Sequence, residues 1–302
     1  MKRLYLRIFH EYDKNSKNYT KGDRTMYFIN NRPKWRLINQ SETITEQSPL
    51  YSFATDDTLC ELVGQLQSPP VIRTWVHQSS VVLGIQDHKL PYIQEGMELL
   101  TKRGYNPIVR NSGGLAVVLD EGILNVSIIL SEQPERMSIN AGYDVMVEFV
   151  RHILPEIANQ IEAYEIVGSY CPGSYDLSVD GKKFAGISQR RIRQGVAVQI
   201  YLCIEGSGSE RAALIRDFYE ESLRGENTKF VYPSVDPKVM ASLSELTGVE
   251  LTVQQVVERI QMLLQANVEV EESITLQENE QEKFDFYYNR IIERNQKMLH
   301  EK

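Results

Sequence analysis

The chain has 302 residues, 42% of them hydrophobic and 25% charged, an ordinary globular composition with enough apolar residues for a sizeable core. A formal net charge of −8 argues against a nucleic-acid partner and against a membrane surface, and no apolar run approaches the roughly 20 residues of a spanning helix. Cys60, Cys171 and Cys203 form no Cys-x-x-Cys pair and no disulfide framework, and the basic start lacks a small-residue cleavage site, so a reducing, cytoplasmic setting is expected.

Residues 1–40 read as a polar, aperiodic N-terminal extension, open to disorder, with Met26 as an alternative start. Leu59, Leu62, Val63 and Leu66 recur at helical spacing behind Asp56 and Asp57, which predicts a helix over 54–66 with Cys60 as a core thiol. Strands are expected at 71–77 and 81–85, joined by a tight turn at Gln78, Ser79 and Ser80, then a helix from Pro91 to Gly104.

Residues 108–130 carry two β-rich segments, 115–119 and 123–129, joined at Asp120, Glu121 and Gly122. At the head of the first, Asn111-Ser112-Gly113-Gly114 forces an irregular turn. Successive glycines let the polar head of a ligand approach main-chain N–H groups, with Arg110 as a cation beside it. The same run also reads as a plain loop between strands. It is not a Walker loop, because no Gly-Lys-Ser/Thr follows.

The most informative stretch is 168–189, GSYCPGSYDLSVDGKKFAGISQ. Asp180-Gly181 suits a two-residue type I′ turn, so the flanking runs make a hairpin in which Val179 faces Lys182 and Ser178 faces Lys183. Alternation then groups Asp176, Ser178, Lys183 and Ala185 on one face. Cys171 precedes Pro172, which favours an extended conformation, in a loop that can fold back over the hairpin. A thiol beside a fixed ammonium has a lowered pKa and a raised thiolate fraction, so Cys171 with Lys183 is the candidate nucleophile pair.

Beyond it, a helix over 139–161 should break at Pro155, and residues 196–204 alternate as a half-buried strand with Cys203 as a structural residue. Helices are expected at 209–223, 237–246 and 253–265, and a charged amphipathic helix at 278–302 reads as a packing appendage. The pattern indicates an α+β fold with a mainly antiparallel mixed sheet flanked by helices. It divides as 1–40, a catalytic domain over 41–265, and a helical appendage over 266–302. None of the five histidines forms a metal-ligand pair, so no metal site is expected. A pairing of Cys171 with His77 or His88 stays open; Lys183 is preferred because the hairpin gives its position a geometric reason.

With these residues in view, the chain resembles the biotin and lipoate protein ligase superfamily, and within it the cysteine-dependent octanoyltransferases. The resemblance rests on FATDDTLC (53–60), RTWVHQSSVVLGIQD (73–87), VRNSGGLAVVLDEG (109–122) and the region from Gly168, and covers about residues 50–265. It implies a biotin/lipoate ligase-like catalytic domain. It further implies that Arg110, Ser112, Gly113 and Gly114 bind the acyl group, that Lys183 lies at the acyl carbonyl, and that Cys171 carries the acyl thioester. ATP-using ligases of the superfamily usually have a third glycine and a double arginine in the Gly-rich segment and lack the cysteine. Here Leu115, the single Arg110 and Cys171 stand instead.

The resemblance therefore implies ATP-free, cofactor-free transfer of octanoyl (or lipoyl). The donor would be the octanoylated glycine cleavage H protein and the acceptors the lipoyl domains of 2-oxoacid dehydrogenase acyltransferase subunits. The alternatives are an octanoyl-[acyl-carrier-protein]-dependent transferase and an ATP-dependent lipoate-protein ligase. Which of Trp75, Val81, Leu83, Val117 and Ile128 would line an acyl slot is open at this stage. Arg190, Arg191 and Arg193 form the densest basic cluster near the proposed site and are candidates for docking acidic carriers.

Overall fold

The computed structural model describes residues 29, 32, 34–110 and 113–300. An eight-stranded sheet forms the body, in the order β11-β1-β2-β6-β10-β9-β8-β7. Its strands are β1 (Lys34–Gln40), β2 (Val71–Trp75), β6 (Ile123–Ser131), β7 (Glu162–Ala163), β8 (Leu177–Val179), β9 (Lys182–Ile192), β10 (Gly195–Cys203) and β11 (Glu269–Ser273). The β11/β1 and β1/β2 pairs are parallel; every other neighbouring pair is antiparallel. A second sheet has the order β4-β3-β5, from β3 (Ser80–Leu83), β4 (Asn106–Val109) and β5 (Val117–Leu119).

Eight of the nine residues of β6 are buried, as a central strand covered on both faces requires. Leu124, Val126, Ile128 and Leu130 meet helix α3 (Ile139–Ile153) and helix α6 (Val253–Gln265) in one apolar cluster. On the other face, Ile129 packs with Leu59, Cys60 and Val63 of helix α1 (Pro49–Gly64). Helix α2 (Ile93–Lys102), helix α4 (Gly208–Leu223) and the C-terminal helix α7 (Gln281–His300) close over the second sheet. A short helix α5 (Leu243–Thr247) lies between α4 and α6 in the chain. Among the described residues, no helix is long and apolar enough to cross a membrane.

Several local expectations change. Residues 34–40, placed in the extension, form β1 inside the main sheet, and β11 from the C-terminal segment pairs beside it; most of 1–33 lies outside the described residues. β2 and β3 belong to different sheets, as do β5 and β6, so neither pair is a hairpin. Helix α1 begins at Pro49, capped by Ser48, rather than at Asp56 and Asp57, which are buried within it as counterions of Arg73 and Arg190. The helix expected over 237–246 splits, because Met240 bridges to Lys183 and the Ala241 N–H donates to the Lys183 carbonyl at 3.0 Å.

The central hairpin forms with the expected register next to its turn, Val179 opposite Lys182 and Ser178 opposite Lys183, and a bulge at Leu177/Ser178 then sets Leu177 rather than Asp176 opposite Ala185. Asp180 and Gly181 have φ of 50° and 71°, the positive pair that a type I′ turn needs.

Candidate active site

Lys183, on β9, is fully buried, and its ammonium is ringed by oxygens. Nζ lies 2.9 Å from Asp176 Oδ1, 2.9 Å from the Tyr170 carbonyl, 3.0 Å from the Cys171 carbonyl and 3.3 Å from Ser169 Oγ. Asp176 in turn accepts the Gly173 N–H at 3.2 Å, the Ile166 N–H at 3.3 Å and the Ser169 hydroxyl at 3.4 Å. Burial raises the Asp176 carboxyl above the usual carboxylate range, while the Lys183 ammonium and these N–H groups oppose the rise. The pair thus latches the loop that carries Cys171 onto the hairpin.

Cys171 has φ of 44°. The extended conformation favoured before Pro172 gives way to the left-handed region, which costs a non-glycine residue on the order of 1–3 kcal/mol and persists only where surroundings impose it. Its sulfur accepts the Leu115 N–H at 3.2 Å and lies 3.7 Å from Arg110 Nη2. The cation within reach of the thiol is therefore Arg110. The Lys183 ammonium goes instead to Asp176, Ser169 Oγ and the Tyr170 and Cys171 carbonyls. The same Arg110 nitrogen donates to the Leu115 carbonyl at 2.9 Å.

Gly114 explains why this segment is glycine-rich. It has φ of 96°, and a Cβ built there would stand 2.1 Å from Arg110 Nη2 and 3.3 Å from Cys171 Sγ. Gly113 lines the pocket described next; Ser112 lies outside the described residues. Behind the segment runs a relay that sequence reasoning missed. The Ala116 N–H donates to Tyr219 Oη at 3.3 Å, and the Tyr219 hydroxyl donates to Asp87 Oδ1 at 2.8 Å. Asp87 also takes the Gly84 N–H at 2.7 Å, and burial pushes its carboxyl up to about 6. A lone aspartate and a tyrosine 132 residues apart leave no local sequence signal.

A cavity of about 310 Å³ opens on the thiol. Phe53, Trp75, Val117, Leu119 and Ile200 supply apolar wall, with Arg110, Gly113, Gly114 and Cys171 among its polar lining and Asp176, Asn125 and Gln199 beside them. Of the slot residues left open, Trp75 and Val117 line it, whereas Val81, Leu83 and Ile128 are core. Beneath it the Asp56 carboxylate takes the Gln199 amide and the Ser127 hydroxyl, both at 2.6 Å, and pairs with Arg73 at 2.8 Å.

The other thiols are set apart from this chemistry. Cys60 and Cys203 are buried, and burial pushes them up to about 12 and about 11. His77 is fully buried against Ser52 Oγ at 2.8 Å, and neither it nor His88 lines the cavity. Arg190 is held by Asp57 at 2.9 and 3.1 Å, and Arg191 by Glu132 and the Met137 carbonyl; Arg193 is exposed in the β9–β10 turn.

A mixed sheet flanked by helices, with a thiol met by two N–H donors at the wall of a partly apolar cavity, is the architecture of the biotin/lipoate ligase fold class. The chain belongs to the lipoyl protein ligase A/B catalytic domain family, which matches residues 48–265. Two curated relatives, both named octanoyl-[GcvH]:protein N-octanoyltransferase, place it with the acyltransferases of that family. The protein of Lysinibacillus sphaericus is 67% identical over 274 residues, covering 91% of this chain and 99% of the relative. That of Anoxybacillus flavithermus is 54% identical over 265 residues, covering 88% and 96%.

Solved structures agree in fold. A lipoate-protein ligase A bound with ATP matches with a TM-score of 0.63 at 18% identity, over 86% of this chain and 95% of that one. The bipartite lipoate protein ligase of Thermoplasma acidophilum matches with a TM-score of 0.60 at 18% identity, over 90% and 98%.

Proposed function

We propose that the protein moves an octanoyl group from the modified lysine of the glycine cleavage H protein to the lysine of lipoyl domains, through a thioester on Cys171. The single observation that carries this reading is the Cys171 sulfur at the wall of the cavity, met by the Leu115 N–H at 3.2 Å and Arg110 at 3.7 Å. The donor follows from the names of the relatives.

In the first half, sulfur attacks the amide carbonyl carbon. The C–N bond breaks, the donor lysine leaves as an amine, and the thiol proton goes to that nitrogen. In the second half, the acceptor amine attacks the thioester, the C–S bond breaks, and the thiolate recovers a proton. One lysine amide replaces another, so the overall change is near neutral and no nucleotide is consumed.

The thioester is the uphill species. Leu115 N–H and Arg110 supply donors for the charge that builds on sulfur and on the acyl oxygen, in a cavity from which the acyl chain excludes water. Each methylene buried contributes about 0.8 kcal/mol, which favours an eight-carbon chain over shorter ones. Lys183 acts here through the loop, holding the Tyr170 and Cys171 carbonyls.

Mass spectrometry after mixing the protein with octanoylated H protein, in chelator and without nucleotide, tests the reading. An octanoyl increment on the Cys171 peptide is expected. The increment on Cys60 or Cys203, or transfer only when ATP and free octanoate are added, would overturn it.

A further inference from the structure

Helix α7 lies beyond residues 48–265, the span shared with the family, yet it reaches the active-site segment. Its buried stripe is Phe284, Tyr287 and Ile291, and the next position on that stripe is Asn295, only 8% exposed. An amide in an apolar stripe is costly unless it finds a partner. Asn295 Oδ1 accepts the Val109 N–H at 2.7 Å. Val109 ends β4, the edge strand of the small sheet, so this N–H has no neighbouring strand on that side. The residue after Val109 is Arg110.

The helix is fixed at both ends of this contact. Lys283 and Tyr287 bind the Glu61 carboxylate of α1, Phe284 meets Tyr51 of α1 with ring centroids 4.8 Å apart, and Gln94 of α2 donates to the Leu299 carbonyl at 3.1 Å. Arg110, for its part, is held from β3 by its own N–H, which donates to the Leu83 carbonyl at 3.0 Å. The end of β4 is therefore clamped between β3 and α7, one residue before the guanidinium that faces the thiol.

We infer that Asn295 is a positioning residue of the acyl-transfer site: it pins the end of β4 and so sets where the Arg110 guanidinium stands relative to Cys171. The C-terminal helix is on this view a working part of the active site. The inference rests on the reading of Cys171 as nucleophile.

The test is a double-mutant cycle in the full-length chain with Asn295→Leu, Arg110→Ala and the combination; Asn295→Ala, which removes the acceptor without added bulk, is run beside it. Two readouts are taken: kcat and KM for transfer from octanoylated H protein, and the rate of Cys171 alkylation by iodoacetamide at one fixed pH. Loss of the contact should lower kcat about tenfold with KM within about twofold, and slow the alkylation of Cys171 at least about threefold. In the Arg110→Ala background the same change should alter either readout by less than about twofold, because the group it positions is gone. Asn295→Asp, which keeps the acceptor, should recover kcat to within about threefold of wild type. Fully additive losses, or an unchanged alkylation rate with only a lower melting temperature, would overturn the inference. If Cys171→Ala retains transfer, the thioester reading fails instead, while alkylation of the other variants still reports on Arg110.

Discussion

The Leu115 N–H and the Cys171 sulfur, 56 residues apart in sequence, meet at 3.2 Å and join the Gly-rich segment to the hairpin loop. Two segments that the sequence marks separately thus become one site, and the contact fixes which groups surround the thiol. Arg110 arrives with the Gly-rich segment, Lys183 with the hairpin.

Gly114→Ala should separate folding from activity. The added methyl would lie 2.1 Å from Arg110 Nη2, the end of a flexible side chain, so the guanidinium must move away from the sulfur. With the positive φ, the expected stability loss is about 1 kcal/mol, and transfer should fall at least about tenfold. Chemical denaturation and single-turnover transfer check the two parts; unchanged transfer would show that Arg110 is not needed where it stands.

Lys183→Ala leaves Asp176 as an unpaired buried carboxylate and should cost on the order of 3–5 kcal/mol. The double change Lys183→Met with Asp176→Asn removes both charges and should recover much of that stability. Transfer should stay slow, because the latch on the Tyr170 and Cys171 carbonyls is lost. A double variant with near wild-type turnover would show that the loop holds itself in place.

His77 predicts an acid-side loss of stability. Burial, with the Arg73 guanidinium adding to it, pushes the imidazole down to about 4 from an ordinary 6.5. The unfolded chain takes up the proton first, so this share of stability is complete above pH 6.5 and lost as pH falls towards 4, up to about 3 kcal/mol. Asp87, pushed up to about 6, works in the opposite sense: its share is complete below its ordinary 3.8 and lost as pH rises through 6. Comparing the slope of melting temperature with pH for wild type and His77→Gln isolates the histidine. Equal slopes would sink the assignment.

The arginine cluster divides into members held by carboxylates, Arg190 and Arg191, and the exposed Arg193. Arg190→Glu would set a carboxylate against Asp57, and Arg191→Glu one against Glu132, so both should depress transfer from protein and small-molecule donors alike. If the cluster docks acidic carriers, that role falls to the exposed Arg193. Arg193→Glu should lower kcat/KM for octanoylated H protein about threefold and flatten its salt dependence, with self-acylation by a small octanoyl thioester unchanged. No change in the salt dependence would end the docking idea.

The hairpin at Asp180-Gly181, the register that puts Lys183 opposite Ser178, the flexible Gly113-Gly114 backbone and the α+β class were all legible from local chemistry, because turn residues and alternation act within a few positions. Pairing across the sheet was not. Short apolar runs such as 71–75 and 80–83 read as neighbours in sequence, and only tertiary pairing sets the first between β1 and β6 and the second between β4 and β5. The same limit hid β1, which is mostly buried between β11 and β2, and the edge strand β11, whose Glu271 pairs with Lys34.

At the site, the sequence marked Cys171, Arg110 and Lys183 as candidates but not which cation stands beside the sulfur. Whether an ammonium touches sulfur or carbonyl depends on ångström-scale placement of the Cys171 loop, held by Asp176 and the left-handed Cys171 backbone, against the Gly-rich segment, held from distant parts of the chain by Tyr219 and Asp87. Arg110 stands at the sulfur because Gly114 has no Cβ and because β4 is pinned by Asn295. Hydrophobic periodicity specifies which faces are buried; the contacts between polar groups on those faces exist only once the sheets are closed.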